Sequence, residues 1–318
     1  MRFCPNILWD LNFEPTALQP CCNVRQIGIP AFPYVGGPID MVAYNAHIRN
    51  ILQKIQQNPP AVCAPCPELR ENVILEVNLA DVQCTFRTLS FNQHRFHCNC
   101  RCVYCDLWKQ THKTKPYDIT PALQSLMKQD ALTPKCAISW GGGEPTLLPE
   151  FEKAARWIAE NGFFQQIYTN AIIYSKWVEV ILASGVGRID VSLDSGGPQL
   201  HTRVKGKDVW EKVMYSLHRY RSAAQHPSQI ELKYIIFDMT NEKKDIDAFF
   251  KLCTQLEITT VCYSFDFREV NSNRVSEQSL NAAVRFRHWA KTLGMICQPF
   301  FVDSALLQKI EHLEQTGA

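Results

Sequence analysis

The chain has 318 residues, 46% of them hydrophobic and 20% charged, the composition of a packed globular protein rather than a disordered one. Lysine plus arginine number 33 against 31 aspartate plus glutamate, so a general polyanion-binding surface is not implied and nucleic acid is not expected as a partner. The amino terminus, MRFCPNILWDLNFEP, carries neither a basic leader with an apolar stretch nor a small-residue cleavage site, and no apolar run reaches membrane-spanning length; a cytoplasmic protein with no membrane partner is expected.

Residues 1–80 include PAFPYVGGP and NPPAVCAPCP and read as loop-rich. One helix stands out there, Met41 to Gln57, with Val42, Ala46, Ile48, Ile51, Leu52 and Ile55 as its apolar face. From about residue 85 short apolar or β-branched segments alternate with longer amphipathic ones, the pattern of β-α units around a parallel sheet. Strands are predicted near Arg87–Phe91, Lys135–Trp140, Gln165–Thr169, Arg188–Leu193, Ile230–Phe237 and Thr259–Phe265. Between them Thr120 before Pro121 fits an N-cap, Asp208 with Glu211 a capping box, and Gly162 and Gly185 helix ends. A helix over Glu277–Leu293 and a strand within Ile296–Val302 complete the series. Right-handed β-α units in this number curve into an open partial barrel, with sites in the loops at the carboxyl ends of the strands.

The chain's 14 cysteines are clustered, and in a reducing compartment close clusters indicate metal more than disulfides. After the first predicted strand, His97-Cys98-Asn99-Cys100-Arg101-Cys102-Val103-Tyr104-Cys105 sets three cysteines in a C-x3-C-x2-C array, with Cys100 as a spacer. A four-iron cluster normally takes four thiolates, so three from one loop leave one iron open to a further ligand. Spacing of this kind also suits zinc. After the second predicted strand comes Trp140-Gly141-Gly142-Gly143-Glu144-Pro145, where glycines permit a close backbone approach.

CNCRCVYC resembles the CxxxCxxC signature of the radical S-adenosylmethionine (SAM) superfamily, and Gly142, Gly143 and Glu144 resemble its GGE motif. Softer matches follow in order: Thr169-Asn170 ends the third strand, Asp190-Val191-Ser192-Leu193-Asp194 resembles the fourth-strand segment, and Lys233 matches a basic residue on the fifth. The resemblance covers about residues 85–265 and implies an α/β fold, a partial (β/α)6 TIM-like barrel. It implies a 4Fe-4S cluster on Cys98, Cys102 and Cys105, and SAM contacted by Tyr104, Gly142, Gly143, Glu144, Asn170, Ser192, Asp194 and Lys233. Reductive cleavage of SAM would then yield a 5'-deoxyadenosyl radical that takes hydrogen from a substrate, with electrons from a flavodoxin or ferredoxin.

Cys4 through Trp9 to Cys21-Cys22, then Cys63 and Cys66, resemble the auxiliary-cluster modules called SPASM and twitch. The implied organisation is a small loop-rich iron-sulfur domain over residues 1–80 followed by the barrel with its carboxyl-terminal extension over 81–318. Four thiolates, from Cys4, one of Cys21 or Cys22, Cys63 and Cys66, close a second 4Fe-4S cluster; structural zinc or uncoordinated thiols are the alternatives. Those modules usually follow the barrel, and Thr16 or Ala17 stands where their pattern has glycine. Among the scattered cysteines, Cys262 on the sixth strand is the candidate hydrogen-atom donor; as small hydrophobes, Cys136, Cys253 and Cys297 fit a core. A peptide or protein side chain is the leading substrate, ahead of a sugar, nucleoside or small natural product. A non-catalytic electron-transfer or zinc-binding protein is the reading from another class.

Overall fold

The computed structural model describes residues 2–21, 29–61, 63–64, 66, 68–70, 78–110 and 114–316. Contacts divide the chain into two compact units, Met1–His97 with His112–Gln166, and Cys98–Thr111 with Ile167–Ala318.

The first unit contains α1 (Asn6–Trp9), β1 (Asp10–Glu14), β2 (Ala17–Gln19), β3 (Phe32–Pro33), α2 (Met41–Gln57), β4 (Phe86–Phe91), α3 (Thr120–Lys128), β5 (Leu132–Trp140) and α4 (Phe151–Glu160). The dividing line runs through β6 (Gln165–Thr169). Its strands lie in the order β5-β4-β1-β2-β3. β4 is parallel to both β5 and β1, whereas β2 and β3 join antiparallel at the edge. The amino-terminal segment, expected to be mostly loop, therefore supplies three strands. The reason is local: Leu11, Phe13 and Leu18 alternate with half-exposed residues and are buried, the period of a strand with one covered face. Phe13, Phe91, Trp140 and Phe151 form a continuous edge-to-face aromatic row with ring centroids 5.3, 4.9 and 4.9 Å apart. Each buried ring contributes about 1.5–3 kcal/mol of apolar burial.

α2 has the bounds expected of it, and the Asp40 carboxylate caps it by accepting from the Val42 and Ala43 N–H groups. Its inner face differs: Val42 is 79% exposed and Ala46 is exposed, while Met41 and Tyr44 turn inward beside Ile48, Ile51, Leu52 and Ile55. Two helix starts also differ. Thr120 is the first residue of α3 rather than its cap, and its N–H is taken by the Asp118 carboxylate.

The second unit continues with α5 (Lys176–Ser184), β7 (Gly187–Ser192), α6 (Pro198–Lys205), α7 (Trp210–Ala223), β8 (Ile230–Ile236), α8 (Lys243–Gln255), β9 (Thr260–Phe265), α9 (Phe267–Asn271), α10 (Glu277–Thr292), β10 (Ile296–Pro299) and α11 (Ser304–Thr316). α7 starts at Trp210 after Val209, so Asp208 and Glu211 make no capping box. β7, β8, β9 and β10 are mutually parallel, and β6 lies beside β7. The strand-helix units from β4-α3 to β9-α10 are the β-α repeats expected from sequence, so the class is α/β with mostly parallel strands.

Alternation sets the two faces of the second unit's strands. Tyr234 and Tyr263 pack on Phe286 of α10, with centroids 5.7 Å away in each case, so the odd-numbered positions Val191, Val261 and Tyr263 and the even-numbered Leu232 and Tyr234 face the helices. The opposite face carries Asp190, Ser192, Glu231, Lys233, Thr260, Cys262 and Ser264. Among the described residues no helix is long and apolar enough to cross a membrane.

Candidate functional site

Within the first unit, Gly142 and Gly143 adopt left-handed φ angles of +60° and +58°. A Cβ on Gly143 would lie 2.4 Å from the His94 carbonyl oxygen and 2.5 Å from that of His97, and one on Gly142 would lie 2.8 Å from the Arg95 Cβ. Only glycine lets this turn approach the segment leading to the first cysteine. The Glu144 N–H donates to the His97 carbonyl at 2.7 Å, and the buried Glu144 carboxylate accepts from the Thr146 hydroxyl at 2.7 Å. These glycines also allow a close approach to the chain's own backbone.

Within the second unit, the Asn170 amide donates to the Asn99 side-chain oxygen at 2.7 Å and to the Cys98 sulfur at 3.7 Å. Cys98 Sγ also accepts from the Cys100 N–H at 3.4 Å. Cys102 is buried, and its thiol is pulled down to about 6, first by a hydrogen bond from Cys100 and, against the cost of burial, by the Lys205 ammonium. Cys105 is half-buried and burial pushes its thiol up.

Tyr104 donates to the Asp194 carboxylate at 2.6 Å, and Lys205 donates to the same oxygen at 2.6 Å. Asp194 Oδ1 accepts the Ile235 N–H at 2.9 Å. Burial opposes ionisation of this carboxyl, yet Lys205 and then Lys233 hold it below the ordinary carboxylate range. Lys205 is 1% exposed and had no signal in the sequence, where a lysine before Gly206 reads as a solvated helix end. Two α6 turns are involved, because His201, also 1% exposed, packs on Trp210 with centroids 5.2 Å apart.

On the sheet face of the same unit the register sets Asp190 beside Glu231 and Glu231 beside Thr260, then Ser192 beside Lys233 and Lys233 beside Cys262. Lys233 lies over the Phe300 ring at 4.3 Å, and burial holds its ammonium below the ordinary lysine value. Burial, followed by Glu231, pushes the Cys262 thiol far up, so it stays protonated. Glu231 was not anticipated; an acidic residue in a strand reads from sequence as solvent-facing.

In the first unit, the Cys66 N–H donates to the Cys63 carbonyl at 3.0 Å, and Phe3 and Arg70 exchange two backbone hydrogen bonds of 2.9 Å. Cys4 and Cys66 are half-buried and Cys21 and Cys63 buried; Cys22 lies outside the described residues. Among the described residues no three Cys, His, Asp or Glu side chains gather closely enough to hold a metal ion. Fit to a cluster therefore rests on donor chemistry, and the loop meets it: three thiols within eight residues, with the buried Lys205 ammonium lowering that of Cys102.

The family model of the Radical SAM superfamily matches residues 93–253. A GTP 3',8-cyclase from Pasteurella multocida is 33% identical over 126 residues, covering 38% of this chain and 37% of that protein, and one from Clostridium botulinum is 28% identical over 170 residues, covering 51% of each. The chain thus spans about half or less of these relatives' own length. Streptococcus suis SuiB, solved bound to precursor peptide SuiA, superposes with a TM-score of 0.56 at 13% identity, covering 82% of this chain and 63% of that one. The anSMEcpe structure with bound AdoMet gives 0.54 at 16% identity, covering 66% and 60%. These likenesses show the expected partial-barrel fold.

Proposed function

The chain belongs to the radical SAM superfamily, and from that premise we propose that it modifies a peptide or protein side chain, with Cys98, Cys102 and Cys105 as the cluster ligands. The observation that carries this reading is the cysteine loop, whose Cys98 sulfur accepts from Asn170 and whose Arg101 and Val103 N–H groups, on either side of Cys102, are bonded to the end of α6. When bound, the cluster and SAM supply a 5'-deoxyadenosyl radical that abstracts hydrogen. The chain's own residues orient and shield. Within the first unit Gly142, Gly143 and Glu144 would offer backbone groups to the methionyl ammonium; within the second, Ser192 and Lys233 would meet the SAM carboxylate or ribose, and Tyr104 and Asn170 would border the cysteine loop. Cys262 is the hydrogen donor of the reading, and its protonated state is the one able to give up a hydrogen atom.

The substrate class is supported by two points. SuiB, a neighbour in fold, was solved with a precursor peptide, and the sheet face carries buried Asp190 and Glu231, which repel a polyphosphate and suit an amine. The GTP 3',8-cyclase relatives favour a second reading, a nucleoside, alongside a sugar or small natural product. Residues 1–80 are assigned an auxiliary 4Fe-4S cluster on Cys4, Cys21 or Cys22, Cys63 and Cys66, and a flavodoxin or ferredoxin is the electron donor.

The test is anaerobic reconstitution with iron and sulfide, followed by dithionite and SAM, on the parent and on Cys98→Ala/Cys102→Ala/Cys105→Ala. The expected result is about eight irons per parent chain and about four in the variant, with 5'-deoxyadenosine from the parent alone. A parent without iron or product overturns the reading.

A further inference from the structure

The cysteine loop is built on the last turn of α6. Arg101 donates its N–H to the Lys205 carbonyl and Val103 donates to the Val204 carbonyl, both at 3.0 Å, so the residues on either side of Cys102 are fastened to consecutive residues of one helix end. Gly206 follows with φ +66°, and a Cβ there would lie 2.7 Å from the Arg101 carbonyl oxygen. The side chain of Lys205 reaches the same loop from below: its ammonium is 2.6 Å from Asp194 and 3.3 Å from the Tyr104 hydroxyl. Asp194 is itself fixed, at a left-handed φ of +59° and with its second oxygen on the Ile235 N–H.

A lysine and an aspartate that are 1% and 0% exposed are unusual as a stability device, because the desolvation of such a pair rivals its attraction and an apolar pair of similar volume serves as well. An ion pair kept in this position, with one partner bonded through main chain and side chain to the loop, points to placement of the loop. We propose that Lys205 and Asp194 are positioning residues for the cluster: together they seat Cys102 and Tyr104, and Lys205 supplies a fixed positive charge behind the cluster. Asp194, on this account, acts through Tyr104 and Lys205 and its carboxylate does not contact SAM. The inference rests on the cluster assignment made above for Cys98, Cys102 and Cys105.

The experiment uses the full chain, reconstituted anaerobically, as parent, Lys205→Met, Lys205→Arg and the double variant Asp194→Asn/Lys205→Met. For each, circular dichroism and thermal melting report folding, and iron per chain, the electron paramagnetic resonance spectrum of the reduced cluster, its midpoint potential and the rate of 5'-deoxyadenosine formation report the site. Lys205→Met leaves a buried carboxylate unpaired and can unfold; the double variant removes both charges and keeps the proposal testable. Expected for the folded double variant are a changed spectrum, a midpoint potential more negative than the parent's and at least a tenfold slower cleavage of SAM. Lys205→Arg should recover part of the potential. A double variant that folds and matches the parent in spectrum, potential and rate overturns the proposal. Loss of iron and product in the parent itself would instead remove the cluster assignment.

Discussion

Gly143 lies so close to His97 that a Cβ on it would be 2.5 Å from the His97 carbonyl oxygen, and that oxygen already accepts the Glu144 N–H. Gly143→Ala therefore forces the turn away from the segment before Cys98. We expect it to lower stability by more than about 2 kcal/mol, read as a shift in denaturant midpoint. Gly37→Ala is the comparison, since Gly37 has φ +92° with nothing within 4 Å and should lose only the backbone cost of about 1–2 kcal/mol. Equal losses at the two positions would remove the crowding argument.

Asn170→Ala withdraws an amide donor from the Cys98 sulfur. Hydrogen bonds to cluster thiolates raise the reduction potential, so the variant should bind iron as the parent does and be harder to reduce. A redox titration monitored by electron paramagnetic resonance gives the answer, and an unshifted midpoint would show that this contact does not tune the cluster.

His201 is buried, and neither ring nitrogen has a hydrogen-bond partner among the described residues. Burial, with Lys205 beside it, holds the imidazole down to about 4. As pH falls below 6.5 the unfolded chain takes up a proton at this residue and the folded chain does not, so stability is complete above 6.5 and is lost progressively towards pH 4. The loss amounts to about 3 kcal/mol for this one group. His201→Phe keeps a ring against Trp210 and should flatten the unfolding free energy over that window; a parental pH profile in the variant would count against a neutral buried His201.

Cys63 and Cys66 share one tight turn, and as ligands of an auxiliary cluster their joint replacement by serine should lower iron from about eight to about four per chain. Cleavage of SAM should survive within about tenfold, because the proposed function places that step on the other loop. Full iron retention in the double serine variant would leave these thiols uncoordinated.

Much of this was legible from the sequence. Strand positions followed from short apolar or β-branched segments between amphipathic ones, and α2 was bounded correctly by its apolar period. The cysteine array and the GGE turn carried the family. What escaped were relations that depend on distant partners. Val42 looked apolar and inward, but the helix phase is set by Tyr44. Asp208 and Glu211 had the spacing of a capping box without the helix start that would use it. Lys205 and Glu231 are charged residues whose burial is decided by the strands and helix packed around them, and no local pattern announces that. The close backbone approach expected of the glycines has a second partner that the sequence did not announce, residues 94–97.

The parallel pairing of β1 with β4 joins residues as far apart as Asp10 and Thr88, which are also linked through their side chains 78 positions apart. A chain shortened to begin after residue 80 would therefore present one whole side of β4 as unpaired N–H and C=O groups, a template for self-association. Expression of residues 81–318 alone should therefore meet insolubility, and a grafted strand along β4 would be the remedy to attempt.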